Sequence, residues 1–465
     1  NCFVLKLDLV TRSKDHKWRL QTLKFRSKSQ PDCMEWCRLI SSKLENALCK
    51  IGCERPQSLL VFINPFGGRH RAESIYTNTV SPIFDLANIK QTVIVTEYRD
   101  HAKKFVETED ISKYDGIVAV GGDGMFNEIA NGLLLRTQRE NKIPVELFNS
   151  DCPNSYKTPK IKLGVIPAGS TDCMSYVSQG INDPETAALH IMVGDTHPLD
   201  LCSLYEESGK FIRFSFSMTS YGYYGNVLRK SERLRHLGPS RYDFAGVQTF
   251  LKKHVSKSEI HFLPSSSNSH ATDTTKCRYP CQICSENLVT PKIEIATLDS
   301  RPHFTNSISG GDVRDLKVVR GNYIMVNSAM MSCACGRSPQ GLSPSAHLAD
   351  GNMDLILVSN CSQASFIRYM LSHVGGGNRF DFPFVQVHRV KAFKHKVLAK
   401  PEAIAFSRQT SVSSSEVTGF ESSKDPESTQ TESCWNTDGE LVESPNISVW
   451  VHRGLINIYA RGVEN

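Results

Sequence analysis

Residues 118–128 (V-A-V-G-G-D-G-M-F-N-E) combine the residue types that phosphate chemistry uses. An apolar strand runs into Gly121, Gly122, Asp123 and Gly124, and a helix follows. Glycines let the backbone turn tightly and bring N–H groups against an anion, and the dipole of the following helix adds to that attraction. Because a carboxylate repels phosphate, Asp123 indicates a base for an incoming hydroxyl or a holder of Mg²⁺. A plain strand-to-helix turn is the alternative.

Three further apolar strands also end in polar or glycine-rich turns. The pattern predicts buried strands at 58–64, 91–97 and 161–166, and the turns after them read N-P-F-G-G-R, T-E-Y-R-D-H and P-A-G-S-T-D. The carboxyl ends of parallel strands meet at one edge of an α/β sheet. These turns and the Asp123 turn are therefore expected to form one site.

The motifs exclude two large kinase classes and resemble a third. Neither the P-loop pattern nor the H-R-D and D-F-G signatures of protein kinases occur. In their order, N-P-F-G-G, G-G-D-G-M-F-N-E and P-A-G-S-T-D resemble the diacylglycerol-kinase catalytic superfamily, which includes sphingosine and ceramide kinases. The ceramide kinases look most similar, through Y-G-Y-Y-G-N at 221–226, the basic run 229–241, M-S-C-A-C at 331–335 and D-G-E at 438–440. The resemblance extends from about Ser58 to the C-terminus.

This resemblance implies phosphoryl transfer from Mg·ATP to the primary hydroxyl of ceramide. Asp123 would be the base, and the turn 121–124 would hold the acceptor. Leu228 lies near the position where sphingosine kinases hold a charged amine, and an apolar residue there suits a neutral amide; Asn226 is neutral where relatives often carry aspartate. The ATP-binding residues implied by the resemblance are Asn64, Pro65, Phe66, Thr96, Glu97, Tyr98, Arg99, Asp100, Glu128, Gly169, Ser170, Thr171, Arg235, Arg241, Asp438, Gly439 and Glu440.

Two alternatives to a ceramide kinase stay open at this point. A sphingosine, diacylglycerol or NAD kinase would keep the Gly-Asp-Gly turn and differ in the acceptor pocket. A lipid-binding adaptor with an inactive kinase fold belongs to another class, and the intact Asp123, Glu128 and Asp438 argue against it. For the arginines at 235 and 241, a solvated basic face is the alternative to contact with phosphate.

The order of elements predicts an α/β N-terminal kinase domain at 56–195 and a C-terminal β-sandwich domain at 196–465, with the site between them. Before them, residues 1–50 read as a hairpin and a closing helix with Trp36 on its apolar face. This segment resembles the C-terminal part of a pleckstrin-homology (PH) domain, and an arbitrary α+β cap is the alternative. The chain begins without methionine, so we expect that its true N-terminus is missing.

Composition suggests a reducing compartment and contact with membrane surfaces. The net charge of +6 suits an anionic surface or phosphate substrate and is too scattered for nucleic acid. Fifteen irregularly spaced cysteines favour the cytoplasm. The sequence has no run of about 18 apolar residues, so we expect no membrane-spanning helix. We expect a peripheral protein of intracellular or plasma membranes, with phosphoinositide binding through the truncated PH-like segment. The basic helix 364–374 suggests calmodulin or membrane contact, and packing against the core is the favoured alternative.

Two insertions interrupt the C-terminal domain. Cys277, Cys281 and Cys284 have a C-x-x-x-C-x-x-C spacing that offers three thiolates to a structural Zn²⁺, with Cys333 or Cys335 as a distant fourth ligand. Reduced cysteines that support a loop are the alternative. Residues 407–433 are rich in Ser, Thr and Glu and are predicted to be disordered.

Overall fold

The computed structural model describes residues 2–51, 55–68, 70–146, 156–265, 274–289, 316–375, 379–398 and 433–464. Nearly all of the insertion predicted at 407–433 lies outside these ranges. The strands are β1 Phe3–Arg12, β2 Trp18–Ser27, β3 Ser58–Ile63, β4 Lys90–Val95, β5 Gly116–Gly121, β6 Lys162–Pro167, β7 Thr196–Glu206, β8 Phe211–Ser215, β9 Met218–Gly222, β10 Ser256–Pro264, β11 Lys317–Ala329, β12 Met353–Ser359, β13 Val385–Val397, β14 Trp435–Thr437, β15 Glu440–Val442 and β16 Ile447–Tyr459. The α-helices are α1 Gln30–Ile51, α2 Ala72–Ile75, α3 Ser81–Leu86, α4 His101–Thr108, α5 Asp123–Glu140, α6 Cys173–Gln179, α7 Pro184–Val193, α8 Tyr223–Glu232, α9 Arg241–Lys252, α10 Gln282–Val289 and α11 Gln363–Gly375.

The first large unit is a parallel sheet with helices on both faces. Its strand order is β4-β3-β5-β6, and side chains along each central strand alternate between two cores. Leu60 and Phe62 of β3 face the core with α4 and α5, while Leu59, Val61 and Ile63 face the core with α3 and α7. Within this sheet β4 lies on one side of β3 and β5 lies on the other. The connections therefore diverge between β3 and β5, which is where ligands of such sheets bind.

The predicted strands occur, but β4 is not buried. Val93 and Val95 are each 41% exposed, because β4 is the edge of the parallel sheet and pairs with β3 alone among the described strands. The sequence pattern of 91–97 therefore wrongly indicated a buried strand. An edge strand and a central strand have the same apolar residue types, and the strand order that separates them is a tertiary property.

The C-terminal unit consists of two layers that share long strands. β11 pairs with β10 through its first half and with β12 and β9 through its second half. In the same way, β13 pairs with β12 and then with β10 and β16. One apolar core, which includes Tyr221, Phe262, Leu357, Phe393 and Trp435, lies between strands of both layers.

β16 joins the two units. It pairs antiparallel with β7 along most of its length, and near its end Ile458 pairs in parallel with Leu163 of β6. The parallel sheet and the β-rich unit are thus one hydrogen-bonded sheet system. This continuity places the carboxyl edge of the parallel strands beside the turns of the second unit.

The N-terminal segment contacts the kinase unit through its hairpin. Trp18 of β2 is buried and stacks on His190 of α7 with ring centroids 3.8 Å apart, and Arg19 pairs with Asp183 at 2.7 Å. The predicted helix follows as α1, yet Trp36 on its apolar face is 60% exposed, so within the described residues this face is not packed. None of the described helices is both long and apolar enough to cross a membrane.

Candidate active site

Three loops meet at the carboxyl edge of the parallel sheet through backbone contacts between glycines. A Cβ atom on Gly169 would lie 2.5 Å from the Cα of Gly122, and one on Gly68 would lie 2.3 Å from the carbonyl oxygen of Ala168. Gly68 also has a φ of +57°. The φ of Gly122 is −94°, so this residue does not have a left-handed conformation. The close approach of the loops therefore explains why glycine is needed at this position. The primary role of these glycines is therefore to let the loops pack against one another.

Asp123 begins α5 and links it to the start of α6. Its two carboxylate oxygens accept the N–H groups of Cys173 and Met174, each at 2.9 Å. Burial raises the pKa of Asp123 from 3.8 to about 6, against the lowering effect of these two hydrogen bonds. Asp123 thus has a structural role as a partner for the first turn of α6, in addition to any chemistry. A carboxylate has further acceptor capacity beyond two donors.

A cleft of about 770 Å³ opens at these loops and lies between the two units. Most residues that the sequence assigned to ATP or acceptor binding line it: Asn64, Phe66, Thr96, Tyr98, Arg99, Gly122, Asp123, Gly124, Glu128, Gly169, Ser170, Thr171, Asp438, Gly439 and Glu440. Four strand ends that are far apart in sequence thus contribute to one site.

Of the six other assigned residues, five do not line this cleft, and the side chain of the sixth, Arg235, is not described. Pro65, Glu97 and Asp100 lie in the same loops and Gly121 ends β5, each next to a residue that lines the cleft. Arg241 begins α9, where it lies 3.7 Å from Glu232 and donates a hydrogen bond to the Tyr242 hydroxyl. Arg235 begins a 3-10 segment, 235–240, and its side chain is not described.

Arg99 and Glu440 form an ion pair with each other across the two units. The family resemblance implies that both residues bind ATP. Their pairing joins the loop after β4 to β15, at the mouth of the cleft. Both side chains are exposed enough for water to screen this pair, so its contribution to stability is small.

Asp438 and Glu128 are also engaged within the protein. The Asp438 carboxylate accepts hydrogen bonds from Asn127 at 2.7 Å and from the backbone N–H groups of Phe216, Ser217 and Met218 at 3.0–3.1 Å. It therefore joins α5 to the turn between β8 and β9. Glu128 accepts the N–H groups of Ala102 and Lys103 at 2.8 and 3.3 Å and so caps α4.

Glu128→Ala is expected to destabilise the fold by about 1–2 kcal/mol, because two N–H groups at the start of α4 lose their acceptor. The free energy of unfolding in denaturant measures this loss. Glu140→Ala, which removes a more exposed carboxylate from the same helix, is the control and should cost less than about 0.5 kcal/mol. A large rise in the KM for ATP at unchanged stability would instead make Glu128 a nucleotide ligand.

Apart from Asp438, Gly439 and Glu440, sequence reasoning missed the part of the cleft wall that the C-terminal unit provides. The described members that it missed are Ser217, Met218, Tyr224, Tyr242, Cys333, Cys335, Ser338, Leu342, His373 and Asn436, and we call them the acceptor wall. Tyr224, Cys333 and Cys335 lie in the motifs Y-G-Y-Y-G-N and M-S-C-A-C, which was the available signal. The others carry no local pattern. Leu228, to which the acceptor preference was assigned, is buried in α8 and is not part of this wall, and Asn226 donates to Ser433 at 3.0 Å.

The cysteine spacing predicted a cluster, but the fourth candidate ligand was wrong. Cys277, Cys281 and Cys284 meet His347, and their potential ligand atoms all lie within 4.8 Å of one another. Cys333 and Cys335 line the cleft instead. His347 is 66 positions from Cys281, so sequence spacing could not identify it.

Comparisons with known proteins identify the family to which the chain belongs. The family model "Ceramide kinase C-terminal domain" matches residues 216–465, and "Diacylglycerol kinase catalytic domain" matches residues 58–204. Ceramide kinase of Homo sapiens is 38% identical over 99% of this chain and 83% of that protein. Ceramide kinase of Arabidopsis thaliana is 29% identical over 96% of this chain and 79% of its own length.

Among solved structures, a putative diacylglycerol kinase from Bacillus anthracis str. Sterne has the same fold. The TM-score is 0.52 at 15% sequence identity, and the match covers 88% of this chain and 98% of that one. The α/β unit and the β-rich C-terminal unit of this chain therefore share their fold with that protein. From the relatives and the family model that covers more than half of the sequence, the chain belongs to the ceramide kinase family.

Proposed function

We propose that the protein is an ATP-dependent lipid kinase that transfers the γ-phosphoryl group to the primary hydroxyl of ceramide. The observation that carries this proposal is the composition of the cleft. Glycine-rich loops of the α/β unit form one side, the acceptor wall forms the other, and Asp123 lies where they meet. We also propose a domain division into 56–195 and 196–465, which is supported by the start of β7 at Thr196.

The glycine loops suit the nucleotide. Asn64 accepts the N–H of Phe66 at 2.9 Å and so fixes the turn after β3. The turn after β5 presents backbone N–H groups at the start of α5. Carboxylate oxygen is the protein ligand that Mg²⁺ prefers, and Asp123 has acceptor capacity left, so holding Mg²⁺ is the alternative to a role of this side chain as a base. A bound Mg²⁺ would screen the charge of the ATP phosphates.

The acceptor wall suits a neutral lipid. None of its described members is acidic, and three of them, Met218, Tyr224 and Leu342, present apolar surface. Burial lowers the pKa of His373, so this side chain is neutral near pH 7. The two carboxylates that the C-terminal unit adds to the cleft, Asp438 and Glu440, already have partners within the protein. A protonated sphingoid amine would therefore have no unpaired carboxylate on this side of the cleft, whereas the amide of ceramide needs none. The wall therefore favours ceramide over sphingosine.

Asp123 has the properties of a base for the acceptor hydroxyl. Its pKa of about 6 leaves it mostly ionised at pH 7 and closer to the operating pH than an ordinary carboxylate. The loops hold the two reactants in line, and positioning and electrostatics supply most of the catalysis of phosphoryl transfer.

A panel of lipid acceptors with labelled ATP tests the proposal. The protein should phosphorylate detergent-dispersed ceramide at least tenfold faster, in kcat/KM, than sphingosine or diacylglycerol, a difference of about 1.4 kcal/mol or more. Faster turnover of sphingosine or diacylglycerol would place the protein with another lipid kinase of this fold. ATP binding without turnover of any acceptor would favour an inactive lipid-binding adaptor.

Access of a membrane lipid to the cleft requires contact with a bilayer, and two helices next to the acceptor wall have suitable faces. On α9, Phe244, Val247 and Leu251 are 51–66% exposed, at helical spacing. On α11, Ile367, Leu371 and Val374 are 44–68% exposed, while Phe366, Tyr369 and His373 pack inward. The two helices touch through Phe250 and Phe366, with ring centroids 6.0 Å apart. Lys252 and Arg368 are exposed on the same helices and would attract anionic lipids.

Val247→Asp combined with Leu251→Asp is expected to weaken binding to anionic lipid vesicles at least tenfold, since burial of one such side chain contributes about 1.5–3 kcal/mol. Vesicle sedimentation measures this change, and turnover of a short-chain, soluble ceramide should stay the same. Leu86→Asp, at a residue with 45% exposure on α3, is the control. Unchanged vesicle binding by the double variant would remove this surface from membrane contact.

Phosphoinositide and calmodulin binding stay predictions. The segment 1–50 has the hairpin and helix expected at the end of a PH-like domain. The inward side chains of α11 support the core-packed interpretation of 364–374, because calmodulin would have to extract that helix from the protein.

A further inference from the structure

The loop that carries Cys277 and Cys281 and the first turns of α10 bring three thiols to one imidazole. The Sγ atoms of Cys277 and Cys284 are 3.8 Å apart, and the Sγ of Cys281 is 3.3 Å from the Nδ1 of His347. Cys284 and His347 are buried, at 2% and 1% exposure. This cluster lies outside the catalytic cleft and has no part in the phosphoryl transfer proposed above.

The distances match the edges of a tetrahedral zinc site. With Zn–S bonds of about 2.3 Å and Zn–N bonds of about 2.0–2.1 Å, the edges are about 3.8 Å between two sulfurs and about 3.5–3.6 Å between sulfur and nitrogen. Both measured separations lie within a few tenths of an ångström of these values. A disulfide between Cys277 and Cys284 would instead require sulfurs about 2.05 Å apart.

Hydrogen bonds between thiols are weak, so they do not explain why three cysteines lie together at a half-buried position. Thiolates and a neutral imidazole are the ligands that Zn²⁺ prefers. His197 contacts Cys284 from outside the set of four, with its Nδ1 2.6 Å from the carbonyl oxygen of Pro198. This arrangement is typical of an outer partner that orients a metal ligand.

We propose that Cys277, Cys281, Cys284 and His347 bind one structural Zn²⁺ in a Cys₃His site. His347 belongs to the connection between β11 and β12, residues 330–352. The same connection carries Cys333, Cys335, Ser338 and Leu342 of the acceptor wall.

The metal would therefore fasten the cysteine loop to the acceptor wall. The N–H of Tyr279 also donates to the carbonyl oxygen of Val463 at 2.7 Å, so the same loop is attached to the C-terminal strand region. Loss of zinc should raise the KM for ceramide more than the KM for ATP, because the glycine loops of the α/β unit are not attached to the metal.

Metal analysis of the whole protein, purified without chelators, is the first test. About one zinc per chain is expected, and its absence would overturn the proposal. Cys284→Ser and His347→Ala should each lose most of the bound zinc and melt at a lower temperature, since metal binding stabilises the fold. Cys361→Ser, at a half-buried cysteine elsewhere, is the matched control and should keep both zinc content and melting temperature.

Two measurements keep the test decisive if those variants fold poorly. His347→Cys should retain zinc, because a fourth thiolate completes a Cys₄ site. Wild-type protein whose zinc is exchanged for Co²⁺ should show strong visible absorption of tetrahedral cobalt with thiolate ligands. Full zinc content in Cys284→Ser and His347→Ala, or the absence of thiolate-bound cobalt in the exchanged protein, would overturn the assignment.

Discussion

Asp123→Asn is expected to lower kcat by about 10²–10⁴-fold, the usual cost of losing a general base. ATP binding should stay within a few-fold, because the loops around the nucleotide keep their backbone contacts. The amide accepts through one oxygen only, and two N–H groups, of Cys173 and Met174, bond to Asp123. One of these hydrogen bonds is lost, so about 1–3 kcal/mol of stability should be lost as well. Single-turnover kinetics, ATP titration and denaturation of the same preparation separate the three effects.

Asp172→Asn is the matched control for this variant. Asp172 also accepts two hydrogen bonds, from the N–H of Gly169 and the side chain of Asn182, each at 2.9 Å, and it does not line the cleft. It should show a similar loss of stability without the large fall in kcat. An equal fall in kcat in both variants would make Asp123 a structural residue only.

The pH profile gives a second reading of Asp123. A base must be unprotonated, so kcat/KM should fall about tenfold per pH unit below an apparent pKa. Because burial raises the pKa of Asp123 from 3.8 to about 6, this fall should begin near pH 6, about two units above the value for an ordinary carboxylate. The residual activity of Asp123→Asn should lack this step.

Gly169→Ala is expected to have the second largest effect, through the site's architecture. The new Cβ would lie 2.5 Å from the Cα of Gly122 and 2.6 Å from Oδ1 of Asp172. Because a backbone atom cannot move aside as a flexible side chain does, the loops after β5 and β6 must separate. We expect a loss of stability of at least about 1–3 kcal/mol and ATP affinity reduced by tenfold or more. Calorimetric titration with ATP on the folded fraction measures the second effect.

Gly124→Ala separates contact between loops from contact with ligand. Apart from its chain neighbours and the backbone of its own helix, no described atom lies within 4 Å of a Cβ at Gly124, and the φ of Gly124 is not positive. Stability should therefore change little, and any loss of ATP affinity reports close approach of a phosphate to this turn. If Gly169→Ala lowered stability but left ATP affinity unchanged in the folded protein, these turns would be ordinary structural turns.

Local pattern was sufficient to predict the strands that end at the site and the residues in the turns after them. Apolar runs followed by glycine and polar residues located the loops of Asn64, Asp123 and Gly169, because strand ends and tight turns depend on neighbouring residues. The local pattern was not sufficient to predict the burial of β4, because the exposure of Val93 and Val95 depends on the position of the strand in the sheet.

By itself, the sequence determined the reaction class, the order of the α/β and β-rich units, and three of the four proposed zinc ligands. The tertiary structure alone decided which carboxylates have protein partners, as Glu128 and Asp438 do. It also supplied His347 to the cysteines and Leu342 and Tyr224 to the acceptor wall. The physical reason is separation along the chain. A motif is visible where its residues are neighbours in sequence, whereas a wall or a fourth ligand forms only after distant segments pack together.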